Sequence, residues 1–427
     1  MAQVNIIERE RRTLVGLESA FGTTPSASFP NAMTEVVLLQ EGTPGDGATV
    51  EMLDVMDARV RRNDAINPEQ GLEIQSKWTA KSYLKAVPTA NILTSSGSVG
   101  SLSHRILFQH LLGTEHAALG TTVATGTNAT TFDVASATNL KKGTWITVTI
   151  SGQPEPAKIT NISGSTVTVA PALSGTPATS AVVRNLYNYA PAETHTSSLA
   201  WQVAYVGSAD AQYTFNGVHG GFKLNFPFGQ LGTLDLDLTA VQFTGASAQS
   251  ITTTTVTDDM SLPFILGGPR GSNPAVVLLT DPAASSRTDY IVCESIELDM
   301  PNNWQMVRDP GGVQTVNSVV NVAGRPRAGS LKLRARFDAD FFTAFDTSTE
   351  FQFAMWVMTG TGATRRFFLV EMPRCTFVAQ PKFVKHGNEL LYADIELAPL
   401  VDNTVTESGE TGADLDRIRA PYRVCFG

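Results

Sequence analysis

Residues 232–241 read GTLDLDLTAV. On an extended chain Leu234, Leu236 and Leu238 point to one side and Asp235 and Asp237 to the other, because successive side chains alternate across a strand. The stretch is therefore a strand with one apolar and one acidic face. It follows a second strand pattern, FNGVHGGFKLNF (215–226), across a Gly-containing turn. The same arrangement returns 159 residues later. Residues 217–240 read GVHGGFKLNFPFGQLGTLDLDLTA, and residues 372–399 read MPRCTFVAQPKFVKHGNELLYADIELAP. Asp394 and Glu396 stand where Asp235 and Asp237 stand in the first stretch.

Outward from this pair the order also agrees. LEIQSKWTAKSYLKAV (72–87) precedes a helix read over 103–113. SLKLRARF (330–337) precedes a helix read over 338–346. SLAWQVAYV (198–206) is matched by STEFQFAMWV (348–357). Ser103 is a candidate N-cap, Ile106, Leu107 and Leu111 form the apolar face of the first helix, and Gly113 stops it. The chain thus reads as two copies of one β-rich unit. Residues 117–190 differ in texture, rich in Thr, Ser, Val and Gly with short strand patterns, as expected of a small inserted β module. The expected division is an arm over 1–30, a first unit over 31–116 and 191–245, the insert at 117–190, a connector over 246–286, a second unit over 287–401 and a polar tail over 402–427. The fold class is mainly β, with two sandwich or barrel units that carry one short helix each.

Composition narrows function. Of the 427 residues, 42% are hydrophobic and only 17% charged, against a typical charged share of about 25%. The formal net charge of −9 argues against a protein that holds nucleic acid by neutralising phosphates. The three cysteines, Cys293, Cys375 and Cys425, give no disulfide framework and no metal-ligand spacing. His104, His110 and His116 are six apart and share no helical face, so they are expected on the surface rather than around a metal. GSVG (97–100) is not a nucleophile elbow, and GTPGDG (42–47) lacks the Lys-Ser/Thr of a phosphate loop. The N-terminus carries no apolar segment of a secretory signal, and no apolar stretch is long enough to span a membrane. The acidic pairs allow three readings: a metal or glycosidase pair, a plain solvated face, or an acidic surface shared in an assembly.

LVGLESAFGTTPSAS (14–28) resembles the opening segment of tail tube proteins of long-tailed bacteriophages, in which a Gly-x-Glu-x-x-x-Gly-Thr element occurs; here it is Gly16, Glu18, Gly22 and Thr23. Leu111–Gly113 at the helix end and the hairpin, helix and strands of 290–400 fit the same pattern. NLKKGTWITV (139–148) and ITNISGSTVTVAPALSG (159–175) are similar to small β modules of phage virion proteins. The resemblance implies a structural virion protein without catalytic site, cofactor or metal. Its rings stack into a tube, and their joined inner β-barrel conducts viral DNA from capsid to host without specific binding. It would be assembled in the bacterial cytoplasm and reside in the virion tail. Two units per chain imply trimeric, pseudo-sixfold rings; an undivided chain implies hexamers. Implied partners are further copies of the chain, the tape measure, the tail terminator and the baseplate or distal tail proteins, with no membrane. Asp235, Asp237, Asp394 and Glu396 are the expected lumen residues, on an acidic or neutral wall that phosphates slide past. Gly16, Glu18 and Phe21 in the arm, and Asn303, Trp304, Arg308 and Asp309 in PNNWQMVRDPGG (301–312), are the expected ring-to-ring contacts. The rival readings are another virion decoration or capsid-associated β protein, and a carbohydrate-active β-rich enzyme.

Overall fold

A computed structural model describes residues 11–18, 34–36, 38, 40–41, 49–54, 68–86, 103–116, 120–191, 198–205, 211–240, 242–248, 263–267, 275–280, 288–290, 293–301, 304–308, 316–321, 329–336, 350–386, 390–401 and 418–427. The fold is mainly β: a large antiparallel sheet system, a closed six-stranded barrel and a separate two-stranded hairpin.

The pairing order of the large sheet occurs twice. In the first set, Arg11–Leu17 pairs with Leu199–Tyr205, which pairs with the first half of Ala211–Pro227. The second half of that long strand pairs with Thr233–Ala240, which pairs with Pro68–Tyr83, whose far edge takes Gln40–Glu41. In the second set, Ala275–Thr280 pairs with Phe351–Thr359 and that strand with Arg366–Phe377. Leu390–Pro399 follows, then Ser330–Arg336, then Cys293–Met300. Each strand of the first set has a counterpart in the second. The two sets join within the chain, where residues 222–227 pair antiparallel with residues 295–300.

Period-2 alternation decides which face is buried. Trp78, Leu224, Leu236, Ile296, Leu333 and Ile395, one from each of six strands, lie in one core cluster. The helix Ser103–Leu112 adds Ile106, Leu107, Phe108, Leu111 and Leu112, all at most 3% exposed. Phe108 packs against Tyr189, Phe222, Phe368 and Phe426 at ring-centroid distances of 5.7–6.2 Å. Gly113 ends the helix at φ +89°, a left-handed conformation that glycine adopts without steric cost, and the chain leaves as the strand Gly113–His116.

The structure revises several boundaries. Residues 11–17 of the expected arm are a strand of the sheet. The expected connector contains Ala275–Thr280, which takes the place in the second set that Arg11–Leu17 takes in the first. The expected polar tail ends in Arg423–Phe426, which pairs with Arg366–Phe377 where Gln242–Ala248 pairs with Ala211–Pro227. Tyr422, Val424 and Phe426 are buried in the main core. The helix read over 338–346 lies outside the described residues.

The barrel is formed by Thr121–Gly126, Thr131–Val134, Trp145–Ile150, Gln153–Ser163, Thr166–Ala170 and Val182–Asn185. Closure leaves it no free edge, and Phe132, Ile146, Val148, Ile159, Val167 and Val183 fill it. The insert therefore ends near residue 185, because Tyr187–Pro191 already belongs to the large sheet and pairs with Arg423–Phe426 and Gly113–His116. A buried polar joint holds barrel to sheet. The Trp145 backbone N–H donates to Asn188 at 2.8 Å, and the Trp145 indole donates to Glu371 at 2.9 Å. Lys158 and Arg423 both donate to the Glu371 carboxylate, at 2.5 and 2.7 Å.

Candidate functional site

The face opposite the core is continuous across both sets. Facing residues in neighbouring strands share a side of the sheet, so the register sets out charge in rows. In one row Lys81 stands opposite Asp235, Asp235 opposite Lys223, and Lys223 opposite Asp299. In a second, Asn225 stands opposite Glu297, Glu297 opposite Lys332, and Lys332 opposite Glu396. In a third, Ser295 stands opposite Arg334, Arg334 opposite Asp394, and Asp394 opposite Lys382. Sign alternates along every row.

Side chains close these rows into ion pairs. Lys81 lies 3.3 Å from Asp235, and Lys223 lies 2.8 Å from Glu297 across the joint between the sets. Arg334 grips Asp394 with two donors, Nε at 2.8 Å and Nη2 at 3.3 Å. That hydrogen bond holds the Arg334 guanidinium pKa above its ordinary value. Lys81–Asp235 and Arg334–Asp394 occupy corresponding positions, so the ion pair itself is repeated. So are two shallow grooves of about 440 and 300 Å³. The first is lined by Lys81, Lys223 and Asp235, and the second by their counterparts Arg334, Lys382 and Asp394.

All four acids singled out in the sequence, Asp235, Asp237, Asp394 and Glu396, lie on this face, and each set brings its two onto one strand. Cations of neighbouring strands face Asp235, Asp394 and Glu396, so the face is mixed in charge rather than an acidic wall, while Asp237 faces Thr79 and Gly221. The sequence reading passed over those cations and over Glu297 and Asp299. A signal was present: Lys77, Thr79 and Lys81 alternate with Trp78 and Ala80, and Lys332, Arg334 and Arg336 alternate with Leu331, Leu333 and Ala335.

The expected ring contacts divide. Gly16 is buried in a strand opposite Ala200. Glu18 is only 8% exposed, and its carboxylate accepts hydrogen bonds from the Ser198 hydroxyl and, at 3.0 Å, from the Gly217 N–H. These bonds tie the end of the first strand to the irregular point at Gly217 of the long strand. Trp304 and Arg308 sit on the hairpin Trp304–Arg308 and Val316–Asn321, outside the large sheet. Phe21, Asn303 and Asp309 lie outside the described residues. His104 and His110 are buried, contrary to the expected surface placement, and His104 Nε2 lies 3.0 Å from the Tyr83 carbonyl.

Among the described residues no three His, Cys, Asp or Glu side chains are grouped to hold a metal ion, and no helix is long and apolar enough to cross a membrane. Comparison of the chain with protein-family models and with curated protein sequences gives no match.

Proposed function

We propose that this chain is the major tail tube subunit of a long-tailed bacteriophage. Three copies form a pseudo-sixfold ring, the rings stack, and the charge-laddered face lines the channel through which viral DNA passes. The observation that carries the reading is the joint between residues 222–227 and 295–300. It makes one sheet, with one apolar and one polar face, out of two like sets of strands. A unit that extends its own sheet with a copy of itself is the unit from which a closed inner barrel is built.

The face suits a conduit. Release of counterions by free lysines and arginines would bind DNA tightly and stall it. Here Lys81, Lys223 and Arg334 are each engaged by a carboxylate of a neighbouring strand. Alternating charge presents a hydrated wall of low net potential, which neither grips phosphates nor strongly repels them. The proposed partners are the tape measure inside the tube, the tail terminator and the baseplate proteins at its ends. The hairpin Trp304–Arg308 and Val316–Asn321 is the proposed contact with the next ring.

Electron microscopy of the purified chain tests this. Rings or tubes with a central channel are expected. A protein that stays monomeric at high concentration, and that is found outside the tail of intact particles, refutes it.

A further inference from the structure

Two strand edges meet inside the chain, and each has a counterpart that meets nothing else among the described residues. Correspondence follows from shared partners. Lys81 faces Asp235 as Arg334 faces Asp394. Lys223 faces Asp235 as Lys382 faces Asp394, so Lys382–His386 corresponds to residues 223–227. Gln40 faces Lys81 as Ser295 faces Arg334, so Gln40–Glu41 corresponds to residues 295–296. Within the chain, residues 223–227 take residues 295–299 on their outer edge. Among the described residues, Lys382–His386 pairs only with Leu390–Pro399, and Gln40–Glu41 only with Pro68–Tyr83.

We infer that a second copy of this chain lays its Gln40–Glu41 strand antiparallel along Lys382–His386. Repeating the internal register sets Lys385 opposite Glu41 of the second copy, as Phe226 stands opposite Ile296. It sets His386 opposite Gln40, as Pro227 stands opposite Ser295. Lys385 and Glu41 carry opposite charge, which favours facing positions on a pair of strands. Apolar exposure marks the same edge. Leu224, opposite Leu298 at the internal joint, is 1% exposed, whereas its counterpart Phe383 is 57% exposed, with Val378 at 54% and Leu391 at 44% close by in sequence. An open strand edge with exposed apolar side chains invites pairing, and a head-to-tail contact that uses two different edges propagates until it closes. The seam rests on the repeated joint; its closure at three copies rests on the proposed ring.

Disulfide trapping tests it on the full chain. Facing residues of paired strands bring Cβ atoms within about 4.5–5.5 Å, close to what a disulfide needs. The double variant Glu41→Cys with Lys385→Cys, mildly oxidised and run without reductant, is expected to give two-chain and three-chain species and then stop. Leu38→Cys with Lys385→Cys, three residues out of register, is expected to give at least tenfold less. The native Cys293, Cys375 and Cys425 are buried and do not compete. Phe383→Asp, on an exposed side chain, is expected to abolish assembly while leaving the circular dichroism of the single chain unchanged. Rings visible by microscopy without preferential trapping at 41 and 385 would overturn the seam and leave the tube reading standing. Trapping at 41 and 385 in a protein that never forms rings would sustain the seam and refute the tube.

Discussion

Replacing Glu371 with Gln should cost the chain several kcal/mol of stability, concentrated where the barrel meets the sheet. The carboxylate is 6% exposed and sits between Arg423, 1% exposed, and Lys158, 21% exposed. Burial alone would raise the Glu371 pKa, but the charges of Lys158 and Arg423, with hydrogen bonds from Lys158 and Trp145, overcome it and hold the group down at about 2. Against its ordinary value of 4.5, that difference corresponds to roughly 3 kcal/mol of favourable interaction with the ionised form. Removing the anion also leaves Arg423 buried without its counter-charge, a change that typically costs about 3–5 kcal/mol. The assay is urea unfolding of the single chain followed by tryptophan fluorescence. Trp145 donates to Glu371 and lies 5.8 Å from the Trp356 ring, so it reports on the joint directly. Arg423→Met should be costly alone and should recover part of the loss when combined with Glu371→Gln, because the more deeply buried of the two cations is then gone and only Lys158, 21% exposed, lacks its counter-charge. A loss below about 1 kcal/mol, or two variants that simply add, would refute the claim that this carboxylate anchors the barrel.

The same group gives a pH dependence. A depressed carboxylate stabilises the fold fully above its unfolded pKa and loses that contribution as pH falls through the folded value, so the hydrogen-exchange protection factors at the barrel joint, taken relative to the intrinsic rate at each pH, should fall between pH 4.5 and about 2. Arg334→Gln should lower the melting free energy by less than about 1 kcal/mol, because Arg334 and Asp394 are 41% and 42% exposed and solvent screens their pairing. Deleting residues 418–427 should do far more than trimming an unstructured tail: it removes Tyr422, Val424 and Phe426 from the core, and an insoluble or unfolded product is expected on expression.

What could be read from the sequence follows from what is local. The alternation of Leu234, Leu236 and Leu238 with Asp235 and Asp237 is set by strand geometry alone, so the acidic face was legible. The duplication was legible too, because both copies keep that alternation after a Gly-containing turn. The barrel announced itself by composition. The alternation of Lys77 and Lys81 with Trp78 and Ala80 places cations on a polar face, but their pairing with the acids was not legible, since Lys81 reaches Asp235 only through a register fixed by strands more than a hundred residues apart. Arg423–Phe426 and Ala275–Thr280 escaped for another reason. RVCF and AVVLLT are short runs without polar and apolar alternation, and all four residues of Arg423–Phe426 are buried, so neither gives the period-2 signal by which a strand is read. Glu18 reads from the sequence only as a contact residue of an arm, because nothing local reveals that Ser198 and Gly217 satisfy its carboxylate.

The number of chains around the channel bears most directly on the central claim. Averaged electron micrographs of assembled rings, with native mass spectrometry of a single ring, should give three copies of the 45.6 kDa chain arranged with pseudo-sixfold symmetry. Six copies per ring would contradict the account, because the joint between residues 222–227 and 295–300 would then not be the contact that the ring repeats.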